Sequence, residues 1–286
     1  TLLSHIEFSH TGYYNVKGGM YTIVESLVEE LKKHQVTFNY ETEIVDFTSE
    51  NNKLTAVTDQ NGKAWTADIF IINADAAFFR GSIFKRKEFS DNKLKKMSWT
   101  MGYLTFYVGV KAQLPQVEHH NYFLGDNYED YARDVMKNPG TLEKPYYYVN
   151  VLSKHNADCA PEGCEALFFV CPVPNLLFKS DWSDKNDIID SIIADFSERI
   201  HQDISKDIVF RMAYTPEDWQ DQFNLYMGGG LGLSHSMMQI GAFRPKNYDE
   251  KFKNVFYVGA STIPGAGLPM AVISSKLTAE RVLEMK

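Results

Sequence analysis

A glycine-rich loop between an apolar strand and a helix, close to the end of the chain, carries the residues best suited to chemistry. Residues 255–258 predict the strand, and Gly259 permits a tight turn with close backbone approach. The Gly-Ala-Gly sequence at 265–267 presents backbone N–H groups without side-chain bulk, and Pro269 suits the first turn of a helix. The free N–H donors and positive dipole end of that helix would stabilise a pyrophosphate or an electron-rich flavin carbonyl.

A second apolar run, residues 69–72, ends in the small and polar residues Asn73, Ala74 and Asp75. It lacks the alternation of a strand with one wet face, which favours a strand buried on both faces within a parallel sheet. Open α/β sheets bind ligands at the carboxyl ends of their strands, so this strand end is a second candidate. Taken alone, the glycine-rich loop is equally typical of a C-terminal helix that merely packs on a sheet.

Composition and spacing disfavour several other kinds of site. The formal net charge of −8 disfavours a nucleic-acid-binding field, and no apolar run approaches the roughly 20 residues of a spanning helix. Cys159, Cys164 and Cys171 form an odd set without zinc spacing, and the histidines include no HExxH pattern. We therefore expect no metal site, no nucleic-acid partner and reduced cysteines in a cytoplasmic chain. No residue is marked by its context as a general acid or base.

The remaining pattern divides the chain into two structural units. Apolar residues at helical spacing predict an amphipathic helix over residues 20–31, and a strand is predicted at residues 36–40. The middle of the chain is rich in aromatic strands, the clearest at residues 103–108 and 146–151. A helix is predicted around residues 185–200. The aromatic strands line either an ordinary core or a hydrophobic tunnel.

Residues 82–98 form a polar, basic segment in which Phe84 and Phe89 are interleaved with lysines and an arginine. Such a segment is most often a solvated connection between structural elements. The alternative is a patch that touches an anionic membrane surface, where basic side chains are attracted and aromatic side chains insert.

Four stretches form a series along the chain: "GGMYTIVESLVEELKK", "FIINADAAF", "GLGLSHSMMQIGAFRPKN" and "NVFYVGASTIPGAGLPMAVISSKLTAERVL". They resemble, in order, the G-G-M helix, the N-A-D segment, the Q-x-x-x-F-R-P stretch and the C-terminal FAD motif of the carotenoid desaturase family, the phytoene desaturase-like flavoproteins. In that last motif a strand ends in V-G-A, and T-x-P-G-A-G-[IL]-P and a helix follow. Because the four occur in family order and span nearly the whole chain, they are far more specific together than singly.

The resemblance implies an α/β (α+β) fold: the remainder of a Rossmann-like FAD/NAD(P)-binding domain plus a substrate domain built on a mixed or antiparallel β-sheet with helices. Residues 1–80 and 245–286 would form the partial FAD-binding domain, and residues 81–244 the substrate domain. Full members of the family begin with a βαβ unit that carries GxGxxG, and no such motif stands near the start of this sequence. The glycine run at residues 228–230 does not substitute for it. We therefore expect the C-terminal part of a desaturase, with FAD absent or incompletely bound.

The resemblance also implies a set of cofactor-binding residues. Ile44 would meet the adenine through its backbone, and Asn73 and Ala74 would lie near the cofactor at a strand end. Gly259 and Ala260, which replace the Gly-Asp of related amine oxidases, would lie near the ribityl and pyrophosphate region. The rest of the predicted site is the loop and helix start, of which the last four residues would face the flavin ring: Pro264, Gly265, Ala266, Gly267, Leu268, Pro269 and Met270.

The function that the resemblance implies is FAD-dependent desaturation of a long isoprenoid such as phytoene in carotenoid biosynthesis. The partner would be a lipophilic polyene precursor, held against the flavin so that hydride passes to the cofactor. Arg244 and His235 are polar candidates near the flavin edge or substrate mouth, or else simple loop anchors. A related carotenoid or retinoid saturase or ketolase, and a non-catalytic lipid- or partner-binding fragment, are the alternatives. Because the substrate class is lipid-soluble, peripheral membrane contact is also expected.

Overall fold

The computed structural model describes residues 14–285, in which three sheets are formed. The strands are β1 (Ile44–Glu50), β2 (Lys53–Asp59), β3 (Ala64–Thr66), β4 (Phe70–Ile72), β5 (Gly102–Val110), β6 (His120–Phe123), β7 (Tyr147–Val151), β8 (Glu165–Val173), β9 (Ile208–Tyr214) and β10 (Val255–Tyr257). The first three strands form an antiparallel meander, and β4 pairs in parallel with β10. The others form an antiparallel sheet in the order β6-β7-β8-β5-β9. This mixed architecture confirms the predicted fold class.

Helices connect and cover these sheets. The α-helices of the described chain are α1 (Tyr21–Lys33), α2 (Asp91–Leu94), α3 (Tyr128–Asp134), α4 (Lys185–Arg199), α5 (Pro216–Phe223) and α6 (Leu268–Leu283). A π-helical segment, Ala77–Ile83, follows β4. Within residues 14–285, no helix combines the length and the apolar character that crossing a membrane requires. The helices predicted near residues 20–31 and 185–200 are confirmed as α1 and α4.

One face of the five-stranded sheet packs against α4 and forms the main hydrophobic core. Side chains alternate along a strand, so Leu104 and Phe106 of β5 enter this core together with Phe169 of β8. Ile189 and Phe196 of α4 stand two helical turns apart and meet them from above. The rings of Phe106 and Phe169 stack with centroids 4.4 Å apart. The opposite face of the sheet, which carries Tyr107 of β5 and Met212 of β9, does not belong to this core.

A second apolar cluster joins the parallel strand pair to the antiparallel meander. Leu54 of β2, Ile72 of β4 and Tyr257 of β10 all belong to it. The Nδ2 group of buried Asn254 donates to the Leu54 carbonyl, and its Oδ1 accepts from the Leu54 N–H, both at 2.9 Å. This amide pairs with a backbone as another strand would, and so it fixes where β10 begins.

Two local predictions made from the pattern are wrong. Residues 36–40 form no strand, because their exposed backbone has no neighbouring strand among the described residues. The strand at 69–72 is not buried on both faces, since Ile71 is 55% exposed. The predicted helix α1 does form, and its apolar side is likewise left without cover, since none of its residues is buried. In each case the apolar character was identified correctly, and what was absent was a surface to cover it.

Candidate functional site

The carboxyl ends of the two parallel strands lie side by side. The Val258 N–H donates to the Ile72 carbonyl at 3.0 Å, which extends the pairing of β4 with β10 by one step. Gly259 follows with a φ of +98°, and a Cβ atom at this position would overlap Oδ1 of Asn73. Only glycine tolerates both this backbone conformation and this close approach. The structure therefore brings together the two strand ends that the sequence singled out.

Buried polar side chains hold the loop that leaves β10. The Gly259 N–H donates to Oγ of Ser274 at 3.1 Å, and the Thr278 hydroxyl donates to the last carbonyl of β10 at 2.9 Å. Asn247, which is fully buried, donates through Nδ2 to the Ile263 carbonyl at 2.9 Å. Because Ser274 and Thr278 are small, α6 lies close enough to the strand for these bonds to form. These bonds from α6 and Asn247 hold the loop in place.

The loop ends at the open start of α6. Gly267 precedes the helix with φ +123° and ψ 151°, a conformation that is essentially confined to glycine. No side chain caps this end, and the first bond of the helix runs from the Ala271 N–H to the Gly267 carbonyl at 2.9 Å. Leu268 is 58% exposed. The first turn of α6 is therefore exposed, and its uncapped N–H groups, to which Pro269 contributes none, can bind an electron-rich group.

A small cavity of about 90 Å³ opens where the two strands end. Three segments line it: Asn73, Ala74 and Asp75 after β4, Val258, Ala260 and Ser261 after β10, and Leu225 with Gly230, Leu231 and Gly232. Asn73, Ala74 and Ala260 of the predicted set thus share one cavity. Sequence reasoning did not assign Gly230 and Gly232 to the site, although the cluster of glycines around them was a visible signal.

Asp75 is the carboxylate on the wall of this cavity, and it is buried. Its Oδ1 accepts from the N–H groups of Ala77 and Phe78, at 2.8 and 3.2 Å. Its Oδ2 accepts from the Ser261 hydroxyl at 3.2 Å, which links the two strand ends. Burial raises the pKa of Asp75, although these three hydrogen bonds oppose the rise. The sequence placed Asp75 at a strand end but gave no sign of this bridging role.

The other predicted residues lie at different places around the cavity. Ile44 begins β1 and packs against the second apolar cluster, and it is not among the residues that line the cavity. Pro264 and Ala266 are half-buried on the loop, and Gly265 between them is buried with a φ of +131°. Pro269 is exposed on the first turn of α6, and Met270 beside it is half-buried.

His235 and Arg244 lie directly against Gly265. A Cβ atom at Gly265 would stand 2.5 Å from Nε2 of His235 and 3.5 Å from Nε of Arg244. Burial lowers the pKa of His235, and the charge of Arg244 lowers it further. Arg244 donates to the carbonyls of Ala260 and Thr262 and so anchors the loop, whereas His235 only lies against Gly265.

The backbone donors at this site suit a flavin. Gly259, Gly265 and Gly267 all adopt positive φ, so the loop presents bare backbone where side chains would intrude. The uncapped helix start adds N–H donors and a positive dipole end. Among residues 14–285, no group of three or more His, Cys, Asp or Glu side chains could hold a metal ion. The glycine-rich loop and the helix start are suited to binding an electron-rich, extended group.

Relatives of this chain are found over almost its whole length. The zeta-carotene-forming phytoene desaturase of Myxococcus xanthus is 33% identical over 274 residues, which cover 95% of this chain and 53% of that protein. The phytoene desaturase of Fusarium fujikuroi is 30% identical, over 99% of this chain and 54% of that protein. The chain therefore spans about half the length of the curated relatives it matches. The resemblance carried by the four motifs is confirmed.

Solved structures share the fold at low sequence identity. An oxidoreductase from Methanosarcina mazei gives a TM-score of 0.57 at 12% identity, over 92% of this chain and 55% of that chain. The PF1083 protein from Pyrococcus furiosus gives 0.56 at 12% identity, over 93% of this chain and 53% of that chain. The family model described as flavin containing amine oxidoreductase matches residues 1–283. This chain therefore belongs to the family of flavin containing amine oxidoreductases.

Proposed function

We propose that this chain forms part of an FAD-dependent desaturase that removes hydrogen from a long isoprenoid of the phytoene class. The observation that carries the proposal is the meeting of Asn73 and Gly259 at the carboxyl edge of the parallel pair, from which the loop leads to the uncapped start of α6. The phytoene desaturases of Myxococcus xanthus and Fusarium fujikuroi support the choice of substrate class. A bound flavin would supply acceptance of hydride from a C–H bond.

The open face of the five-stranded sheet suits a lipophilic polyene. Alternation places Tyr103 and Tyr107 of β5 on the face opposite the core, and the ring of Tyr107 stacks on Phe168 with centroids 4.7 Å apart. Met212 of β9 is the partner of Tyr107 across the strand pair and is exposed. Gly230, which lines the cavity, packs against the Tyr103 ring. The aromatic face therefore begins where the proposed flavin site ends.

The roles of this chain's own residues are binding, orientation and exclusion of water. The loop that contains Gly265 and Gly267 would bind the flavin, because its N–H groups are positioned before any ligand arrives. The aromatic face would hold the polyene and displace water from it. Asp75 stabilises the arrangement of the two strand ends through Ser261. No acid–base step is assigned to any side chain.

We propose further that residues beyond this chain complete the FAD site. Within the described chain the parallel sheet has only β4 and β10, and Ile71 of β4 is exposed. The apolar side chains of α1, such as Val24 and Leu27, are exposed as well. Faces of this kind normally pack against a further element. An incomplete FAD site in the isolated chain is consistent with both observations.

The test compares the isolated chain with the protein encoded by the entire reading frame. We expect the entire protein to show flavin absorption bands and to convert phytoene into more unsaturated products, and the isolated chain to hold far less FAD. Stoichiometric FAD in the isolated chain would contradict the incomplete site. An entire protein without flavin would contradict the proposed function. Products with fewer double bonds, or with added oxygen, would favour the saturase or the ketolase.

The alternative interpretation of residues 82–98, a membrane patch, is wrong for Phe84 and Arg86. Phe84 is buried, and its ring packs against Phe252 with centroids 5.3 Å apart. Arg86 forms an ion pair with buried Asp249 at 2.6 Å. Neither side chain is free to meet a bilayer. The aromatic residues of this segment were interpreted as interleaved surface residues, whereas Phe84 belongs to the second apolar cluster.

We propose that the part of this segment that contacts an anionic membrane is its end, Lys95 and Lys96, which form a lysine–methionine surface with Met237 and Met238. Met237 and Met238 are 80% and 72% exposed. The two segments are adjacent because the Gln239 side chain bonds the N–H and the carbonyl of Ser98, at 2.8 and 2.7 Å. Exposed apolar side chains beside lysines match the apolar and anionic layers of a bilayer surface.

Replacing both Lys95 and Lys96 with glutamine is expected to weaken binding to anionic vesicles. Each lysine near such a surface contributes about 1 kcal/mol, so losing two reduces binding roughly 30-fold. Co-sedimentation with phosphatidylserine-containing vesicles measures this effect. The matched control is K32Q/K33Q at the end of α1, which removes the same charge from another exposed site. Equal binding by both double variants would show that the membrane does not contact the lysine–methionine surface.

A further inference from the structure

Arg244 is a buried cation whose hydrogen bonds all go to backbone carbonyls. Its side chain is 1% exposed. Its guanidinium donates to five carbonyl oxygens: those of Thr262 at 3.0 Å, Ala260 at 2.6 Å, Gln239 at 3.2 Å, Ser234 at 3.4 Å and Leu233 at 3.3 Å. Within residues 14–285, no carboxylate pairs with it. Buried charges are normally paired, so an arginine neutralised only by carbonyl dipoles requires an explanation.

The five carbonyls come from two separate segments of chain. Three belong to residues 233–239, which precede Arg244, and two belong to residues 260–262, which follow β10. The guanidinium is planar and presents its donors in a fixed fork, so it fixes the distance between these segments. A lysine ammonium, with three donors on a flexible stem, cannot reproduce that geometry. Arg244 is therefore a clamp between the two segments.

The clamp lies directly beneath the glycine-rich loop. A Cβ atom at Gly265 would be 3.5 Å from Nε of Arg244, so the backbone of the loop passes over the guanidinium. The pKa of the neighbouring His235 is lowered by partial desolvation and by the charge of Arg244. The buried carboxylate bonded to this loop is Asp75, which reaches Ser261 and whose pKa burial raises. It forms no ion pair with Arg244.

We propose that Arg244 is a positioning residue of the flavin site, which fixes the shape of the loop and keeps an unpaired positive charge beneath it. This inference rests on the proposed function. In the low-dielectric interior the charge acts more strongly than in water, and it adds to the positive end of α6. Any negative charge gained by a group bound at the loop is stabilised by it. Reduced FAD should therefore bind more tightly than oxidised FAD.

The test replaces Arg244 with methionine, which preserves length without charge, and with lysine, which preserves charge without the fork. Both variants are made in the protein encoded by the entire reading frame, with Arg211→Met, which removes a surface ion pair with Asp190, as the control. We expect the preference of R244M for reduced over oxidised FAD to fall roughly tenfold, which lowers its two-electron midpoint potential by about 30 mV. R244K should keep the potential. Both should accelerate chymotrypsin cleavage within residues 235–243, whereas R211M should change neither measurement.

Each outcome bears on a different part of the inference. An R244M protein that binds FAD at the wild-type potential overturns the role of the charge, and so does an R244K potential as low as that of R244M. An R244K chain as resistant to chymotrypsin as wild type overturns the clamp, and this digestion needs no flavin. If neutral R244M fails to fold while R244K folds, the buried positive charge is required. A wild-type protein without FAD refutes the proposed function instead, and the digestion still tests the clamp.

Discussion

Replacing Gly267 with alanine is expected to weaken FAD binding roughly 100-fold, or about 2.7 kcal/mol, while the fold itself survives. The protein has room for the methyl group, since its nearest neighbour would be Cγ of Met270 at 3.7 Å. The backbone conformation, with φ +123°, adds strain of about 1–3 kcal/mol. The larger consequence is at the ligand. A methyl group at the exposed start of α6 prevents the close backbone approach through which the N–H groups would bind the flavin.

Gly62 provides the matched control for this substitution. It lies in the turn between β2 and β3 with a φ of +80°, and a Cβ atom there would have no neighbour within 4 Å. G62A should therefore strain the backbone without touching FAD. The measurements are the Kd of FAD by fluorescence quenching and the free energy of unfolding in urea, for both variants of the entire protein. FAD binding by G267A as tight as by G62A would mean that the start of α6 does not meet the flavin.

The part of the site nearest to the chain end could be predicted because its residues constrain the backbone locally. Gly259, Gly267 and Pro269 each restrict or permit particular φ values, so a strand, a turn and a helix start follow from sequence alone. The resemblance placed Asn73 and Gly259 near the same cofactor, and the topological rule that parallel strands bind ligands at their carboxyl ends agrees with their contact in the structure. Both inferences needed only short stretches of sequence.

The rest of the cavity could not be predicted, because it depends on contacts between distant segments. Gly230 and Gly232 come from a loop far along the chain from Asp75, and no periodicity connects them. The bond between Asp75 and Ser261 likewise joins two segments whose proximity only the folded chain defines. A buried carboxylate after a strand looks the same in sequence as an exposed one.

The burial of individual side chains could not be predicted from the sequence either. Periodicity shows which side of α1 is apolar but not whether another element covers it, and in the described structure nothing does. At Phe84 the error was the reverse, because a side chain interpreted as exposed is buried. Its basic neighbours suggested solvent, yet its ring lies in a cluster of aromatic rings and Arg86 reaches the buried Asp249. A polar neighbourhood in sequence does not determine where a single aromatic side chain packs.

Replacing Asp249 with asparagine is expected to lower the free energy of unfolding by about 3 kcal/mol, the effect of breaking a buried ion pair from one side. Arg86 donates to Oδ1 of Asp249 at 2.6 Å, and the Tyr257 hydroxyl donates to Oδ2 at 2.7 Å. The guanidinium of buried Arg80 stands 3.8 Å from the centre of the Tyr257 ring. The Asp249 carboxylate thus offsets the positive charge of two nearby arginines. Asparagine at this position would leave that charge uncompensated.

The pH dependence of this effect has a definite sign. Burial alone would raise the pKa of Asp249, but hydrogen bonds from Tyr257 and two backbone N–H groups, with the charge of Arg86, lower it overall. A carboxyl whose folded pKa lies below the unfolded value of about 3.9 stabilises the fold above that value and loses the contribution as pH falls further. The difference between wild type and D249N in the free energy of unfolding, measured in urea, should be largest near neutral pH and should decrease at acid pH. D190N, which removes an exposed ion pair, should change little at either pH. If the free energy of unfolding of D249N stays below that of wild type by the same amount down to acid pH, packing rather than the charge of Asp249 holds the segment that contains this residue against β10.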